Sequence, residues 1–236
     1  MDNNEIIEMN IADTIMEKPV GFKIGHRQFY LYPPTLGKSY LLSRLIKTLN
    51  VNTEMLSRNP YLEAFRLSSE NRETVCRMLA YHSLSKKRDI QDEIKVRSRT
   101  KLFQEKLDVD ELTQLLVITF TFEDVSSYIS HLGIDKEQAE RNRIMKVKNM
   151  SGNLSFCGKS TYGTLIDWAC QRYGWSMEYV VWGISYANLQ MLMADAITSV
   201  YLSEEERKKL GITDNHEIIN ADDPKNRELI RQMLSE

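Results

Sequence analysis

Two short stretches of the chain have the composition of a phosphate cradle, Gly158-Lys159-Ser160-Thr161 and Gly37-Lys38-Ser39. A phosphate-binding loop needs GxxxxGK[ST], because the turn must wrap successive backbone N–H groups around the phosphates. Gly152 to Gly158 encloses five residues, one too many, and Tyr32 stands where the first glycine of the other stretch belongs. No apolar strand precedes the first stretch, and none ending in Asp follows it to hold magnesium. Gly158 and Ser160 read instead as turn residues and Thr161 as a helix cap, so no nucleotide or other cofactor is expected. His26, His82, His131 and His216 are scattered, without HExxH or His-x-His spacing, and no metal site is expected from them. His82 shares a helical stripe with Met78 and reads as a core or boundary residue. His131 falls near a predicted helix C-terminus, where the dipole favours positive charge.

Nucleophilic chemistry has as little support. GxSxG is absent, and Cys170 lies on an apolar helix face with Leu165, Ile166 and Ala169, where cysteines are usually inert. Carboxylate pairs meet in space and not in sequence, and Asp167 and Asp195, which flank an aromatic-rich segment, are the two to inspect. Their expected roles are capping, solvation or ion pairing, and no catalytic residue is assigned. The basic run Lys86-Lys87-Arg88 through Lys95, Arg97, Arg99 and Lys101 has the residue types for phosphate contact. Asp89, Asp92, Glu93 and Glu105 are interleaved with it, and Phe103 is its one aromatic, so a solvated helix face is the better reading and nucleic acid is disfavoured as a partner.

The elements that would position these groups are mostly helices. Phe22, Ile24, Phe29 and Leu31 alternate around Gly25-His26, with Lys23 and Tyr30 on the other face, which predicts a short hairpin closed off by Pro33-Pro34. Thr35 is placed to cap a helix carrying Leu41, Leu42, Leu45, Ile46 and Leu49. Pro60 suits a first helical position, and Ser69 is expected to open a helix striped with Val75, Met78, Leu79 and His82. Residues 86–106 read as an exposed helix or hinge, 110–120 as a buried helix, and Thr121 with Asp124 as a capping pair for the next helix, which Gly133 closes. A charged helix over 136–148 and a loop over 150–159 follow. Thr161 to Tyr173 is predicted helical and stopped by Gly174, Ser176 caps the next helix, and Ser185 opens another or sits within it. Ser203-Glu204-Glu205-Glu206 is a capping box before a helix ending at Gly211, and Asp223-Pro224 starts a last helix with Leu229, Ile230 and Met233.

The expected fold is therefore mainly α, helical domains with a small N-terminal β-hairpin. The expected segments are a polar lead-in over 1–19, the hairpin and helices over 20–134, a charged helix and loop linker over 135–160, and an aromatic-rich helical region over 161–236. Five prolines and ten glycines in 236 residues argue against a turn-rich sandwich, and 42% apolar with 27% charged residues is ordinary for a globular chain. A net charge of −2 gives no global pull toward nucleic acid or anionic membrane. Cys76, Cys157 and Cys170 are odd in number and far apart, which fits a reducing compartment. The acidic start, with Asp2, Glu5, Glu8, Asp13 and Glu17, does not look like a secretory leader, and no long apolar run suggests a membrane span. The expected location is the cytoplasm.

The stretch from Tyr173 to Asp195 collects Tyr173, Trp175, Tyr179, Trp182 and Tyr186, together with Met177, Met191 and Met193. Aromatics and methionines are enriched at the centres of protein interfaces, where they bury much area and adapt in shape. They equally build a well-packed core, and both hold if a second subunit completes that core. The nominated partner-binding residues are Tyr173, Trp175, Tyr179, Trp182, Tyr186 and Met191.

With Gly21 to Leu49 (a small β-unit, a proline break, an amphipathic helix) and the YGWS turn that opens the aromatic segment, the chain resembles phage or prophage tail assembly chaperones. About a quarter of the chain carries the likeness, and the charged middle from Lys86 to Lys148 has no counterpart in it. The resemblance implies a non-enzymatic protein of the bacterial host cytoplasm that reversibly covers the long, aggregation-prone tape-measure protein while the tail tube polymerises, and that needs no ATP. Amphipathic helices with Met and aromatic faces suit such a client. Two other expectations compete, a structural head–tail connector or completion protein and a nucleic-acid-binding regulator acting through Lys86–Lys101. A homo-oligomer is compatible with either protein-binding reading.

Overall fold

Alternating apolar residues on either side of Gly25 fold back on one another because glycine adopts the positive φ, +57°, that this tight turn needs. The resulting hairpin pairs β1 (Val20–Ile24) with β2 (Arg27–Leu31), placing Val20 opposite Leu31 and Phe22 opposite Phe29. Phe22 and Phe29 stack at 5.7 Å, and each meets the edge or face of Phe103 at 5.8 Å. The computed structural model describes residues 3–122, 124–150, 160–196 and 200–212. Among them the hairpin is the one sheet, and the other elements are helices.

The chain forms two compact units, Met1–Gln138 with Phe156–Ile197, and Ala139–Ser155 with Thr198–Glu236. This division differs from the segments expected at 135 and 161, because α12 packs on α2 and α13 on α1. In the first unit the helices are α1 (Asn3–Ile15), α2 (Leu36–Ile46), α3 (Thr53–Arg58), α4 (Pro60–Glu70), α5 (Arg72–Ser83), α6 (Lys87–Ile90), α7 (Glu93–Lys106), α8 (Val109–Thr121) and α9 (Ser126–His131), with α11 (Thr161–Tyr173), α12 (Met177–Trp182) and α13 (Tyr186–Ala194) following the start of α10 (Ile134–Met150). The main core is built where α5 meets α7 and α4 meets α8, with Leu67, Leu79, Phe103, Leu112 and Leu116 fully buried. A smaller apolar cluster joins Leu36 of α2 to Leu165 and Ala169 of α11, Val180 of α12 and Leu189 of α13. In the second unit, Lys148 of α10 pairs with Glu206 of α14 (Glu204–Leu210) at 3.3 Å, and Arg143 donates to the Leu210 carbonyl at 2.8 Å.

Local capping chemistry appears largely where the residue types place it. Ser176, Ser185 and Ser203 each accept a backbone N–H three residues on, and Gly174 ends α11 at φ +65°. Several expectations are corrected. The lead-in over 1–19 is mostly α1, held on α9 and α13 by its side carrying Ile7, Ile11 and Thr14. Ser69 lies inside α4 and bonds back to the Phe65 carbonyl, and α5 begins after Asn71. Thr35 occupies the cap position of α2 without making a cap bond. Thr121 closes α8 by donating to Ile118, while Asp124 accepts from Ser126. Ser160, not Thr161, caps α11 through the Gly163 N–H at 3.0 Å. Residues 86–106 are not a hinge, since Val96, Thr100 and Phe103 of α7 are buried against the core, one face of an otherwise charged helix. Of the loop expected over 150–159, Met150 ends α10, and the rest, with Cys157 and Lys159, lies outside the described residues, as does the last predicted helix with His216 before it.

No described helix is long and apolar enough to cross a membrane.

Candidate functional site

The chain segment between hairpin and α2 is pinned to the start of α13. Tyr186 donates its N–H to the Pro34 carbonyl at 2.8 Å, and Thr35 bridges Ser185. This brings α2 against α12, close enough that a side chain at Gly37 is excluded. A Cβ there would stand 2.8 Å from three carbons of the Trp182 indole. The Gly37 α-carbon therefore packs against the face of the six-membered indole ring, and an added methyl would have to push that ring away.

Between these helices and α11 runs an open apolar groove of about 690 Å³. Its wall from α2 is Leu36, Tyr40 and Leu41, and its opposite wall is Ile166, Val181 and Trp182, with Met177 at the mouth, 64% exposed. Tyr40 meets Tyr162 edge to face at 5.8 Å, and the Arg44 guanidinium lies 4.9 Å over the Tyr40 ring. The rim is polar. Lys87 sits 5.8 Å over the Trp182 ring and pairs with Glu178 at 2.7 Å, and Glu93 pairs with Arg77 at 2.8 Å. An apolar floor ringed by paired charges is the anatomy of a protein-binding patch. Gly37→Ala is expected to displace the indole, cost about 1–2 kcal/mol as overpacking, and alter tryptophan emission. Unchanged emission and unfolding midpoint would show that the indole does not rest on Gly37.

The six nominated residues are divided by the structure. Trp182 is in the groove wall. Tyr173 stacks on Trp175 at 4.6 Å and Trp175 meets Tyr179 at 5.1 Å, a ladder of partly exposed rings at the α11–α12 turn. Tyr186 lines a separate recess of about 530 Å³ together with His82 and Tyr162. Met191 is half-buried on α13 and lines none of these. Tyr40, Ile166 and Val181 escaped nomination, although Gly37 beside an apolar helix face was a usable signal of close approach.

Behind the groove lies a buried polar cluster. Lys38 is 1% exposed, its ammonium 5.6 Å over the Tyr32 ring. Burial pushes its pKa down to about 8, and the Glu17 carboxylate opposes that fall. Glu17 accepts from the Ser185 N–H at 2.6 Å and the Asn188 amide at 3.1 Å. His82, 3% exposed, faces the Tyr32 carbonyl through Nδ1 at 3.3 Å, and burial, then the Lys38 charge, lowers its pKa to about 3.

The other chemical candidates are placed as follows. Gly37-Lys38-Ser39 forms the first turn of α2, with Lys38 turned inward and away from any phosphate. Asp167 is exposed and accepts from Gln171, and exposed Asp195 ends α13. Cys76 is buried, its thiol pushed up to about 11 by burial, and Cys170 is half-buried. Among the described residues no three His, Cys, Asp or Glu side chains gather as metal ligands. Most cations of the 86–101 run are matched by carboxylates: Lys95 by Asp89 at 2.6 Å, Arg97 by Glu93 at 3.3 Å and Lys101 by Glu105 at 3.8 Å. Set beside known proteins, the chain matches no protein-family model, no curated protein and no solved structure.

Proposed function

We propose that the chain is a non-catalytic binding protein that covers an apolar helical stretch of a client, and that the client is a phage tail protein of the tape-measure kind, chaperoned in the host cytoplasm during tail assembly. The observation that carries the binding role is the open groove bounded by Tyr40, Met177 and Trp182. The tail-assembly identity of the client comes from the resemblance of residues 21–49 and 173–195 alone. A groove of this size accepts large side chains from one face of a helix, spaced i, i+3 or i+4. Reversible cover needs just such contacts, strong enough to hide an apolar stripe and weak enough to yield to a competing tube subunit.

The test is affinity capture of tagged protein from cells making the phage, with nuclease treatment and mass spectrometry. A long helical tail protein should be recovered with wild type and reduced at least tenfold with Met177→Asp, which lies at the exposed mouth and leaves the fold intact by circular dichroism. Recovery of portal or head-completion proteins, with the bait in finished virions, would favour the structural connector. Equal recovery with Met177→Asp would remove the groove from the interaction.

A further inference from the structure

A second recess, about 870 Å³, is bounded by β2 on one side and α7 on the other. Its deepest cation is Arg99. The guanidinium lies 5.0 Å over the Phe29 ring and 6.0 Å from the Phe103 ring, while Nη1 donates to Ser83 Oγ at 3.0 Å. Among the described residues Arg99 forms no ion pair, and Ser83 is its one hydrogen-bond partner. A guanidinium has five N–H donors in a rigid planar fork, so most of its donor capacity has no protein partner among the described residues. Burial lowers its pKa below the ordinary guanidinium value, and a guanidinium stays charged in proteins at neutral pH. Arg27 and Lys95 line the same recess, whose one carboxylate, Asp89, is held by Lys95 at 2.6 Å. Three cations thus face one anion. Apolar side chains stand on either side of Arg99 along α7: Ile94, 81% exposed, and half-buried Leu102, two helical turns further on.

We propose that this recess is an anion-binding site for an acidic peptide segment, the Arg99 fork taking a carboxylate while Ile94 and Leu102, on either side of it, take the apolar residues that flank the acidic pair. A half-buried cation without a counter-charge is the costly arrangement that an incoming carboxylate relieves. A bare anion would use the fork and leave Ile94 in water. A nucleic acid would need a row of unmatched cations along its phosphates, whereas the neighbours Arg97 and Lys101 already have carboxylate partners. The site is separate from the groove of Met177 and does not rest on the client named above.

The test is fluorescence anisotropy with a labelled, end-capped peptide of core Leu-Glu-Glu-Leu against its Leu-Gln-Gln-Leu counterpart. The acidic peptide is expected to bind at least tenfold more tightly. Arg27→Glu, an exposed change on β2, should weaken it at least fivefold with an unaltered unfolding midpoint. Arg99→Lys keeps the charge, loses the fork and should weaken it similarly. Met177→Asp should leave it unchanged, so failure here and failure of the client reading are told apart. Equal binding of the two peptides, or no effect of Arg27→Glu, would overturn the proposal. So would displacement of the peptide by inorganic phosphate at matching concentration, or tighter, Arg27-dependent binding of a thymidine 12-mer.

Discussion

Lys38→Met is expected to raise the free energy of unfolding at pH 7 by about 2–3 kcal/mol. The ammonium is 1% exposed, and burial outweighs the attraction of Glu17, so its pKa falls from 10.5 to about 8. That depression corresponds to about 3 kcal/mol of disfavoured charge in the folded state. Between pH 8 and 10.5 the unfolded chain still holds the proton that the folded chain has released. Stability of the wild type therefore climbs with pH through that window. Methionine fills the same space without the charge, and Glu17 keeps its bonds to Ser185 and Asn188. Among the described residues no Lys38–Glu17 ion pair is formed, and burying a charge that is not directly paired costs more than burying an apolar side chain of similar volume. Urea unfolding at pH 7 and pH 10 tests this. The variant should gain at pH 7 and lose most of the wild-type rise toward pH 10. A destabilised variant would mean that the charge is needed where it lies.

The second large effect is acid lability centred on His82. Its pKa falls from 6.5 to about 3, chiefly by burial, then by the Lys38 charge, against the opposing contact with the Tyr32 carbonyl. Above pH 6.5 the imidazole is neutral in both states and its full contribution is present. Below it the unfolded chain takes up a proton that the folded chain refuses until about pH 3. Stability is therefore lost as pH falls, by about 2 kcal/mol at pH 5. His82→Gln should be less stable at pH 7 and flatter between pH 6.5 and 5 when unfolding midpoints are compared. An equally steep loss in the variant would assign the acid response elsewhere. Lys38→Met should also soften it, because one of the two causes of the depression is gone.

The features most legible in the chain are those that depend on near neighbours. Phe22 and Phe29 face each other because alternation and Gly25 set the register within a dozen residues. The serine caps and Gly174 satisfy backbone groups one turn away. Ser160 caps α11 in place of the expected Thr161 because it offers the same oxygen one residue earlier. Where burial depends on distant partners, the local signal fails. Val96, Thr100 and Phe103 form a core stripe three or four residues apart, but charged residues fill the intervals and hide it. Lys38 reads as a solvent cation or a phosphate ligand, and only the packing of α2 turns it inward. The groove is the extreme case. Trp182 was visible as a candidate from its aromatic surroundings, whereas Tyr40 and Ile166 gain meaning only when α2 and α11 meet.

That meeting has a consequence in time. Tyr40 and Leu41 leave the ribosome early, and Trp182 follows about 140 residues later, a delay of about 10 s at ordinary rates of translation. Through that interval Leu36 and Leu41 have no partner from α11 or α12, and the half-made chain has only one wall of the groove. A nascent client present in the same interval would find nothing to enter. On the function proposed above, capture would begin only after α12 has emerged, and supply of this protein would have to run ahead of its client's synthesis.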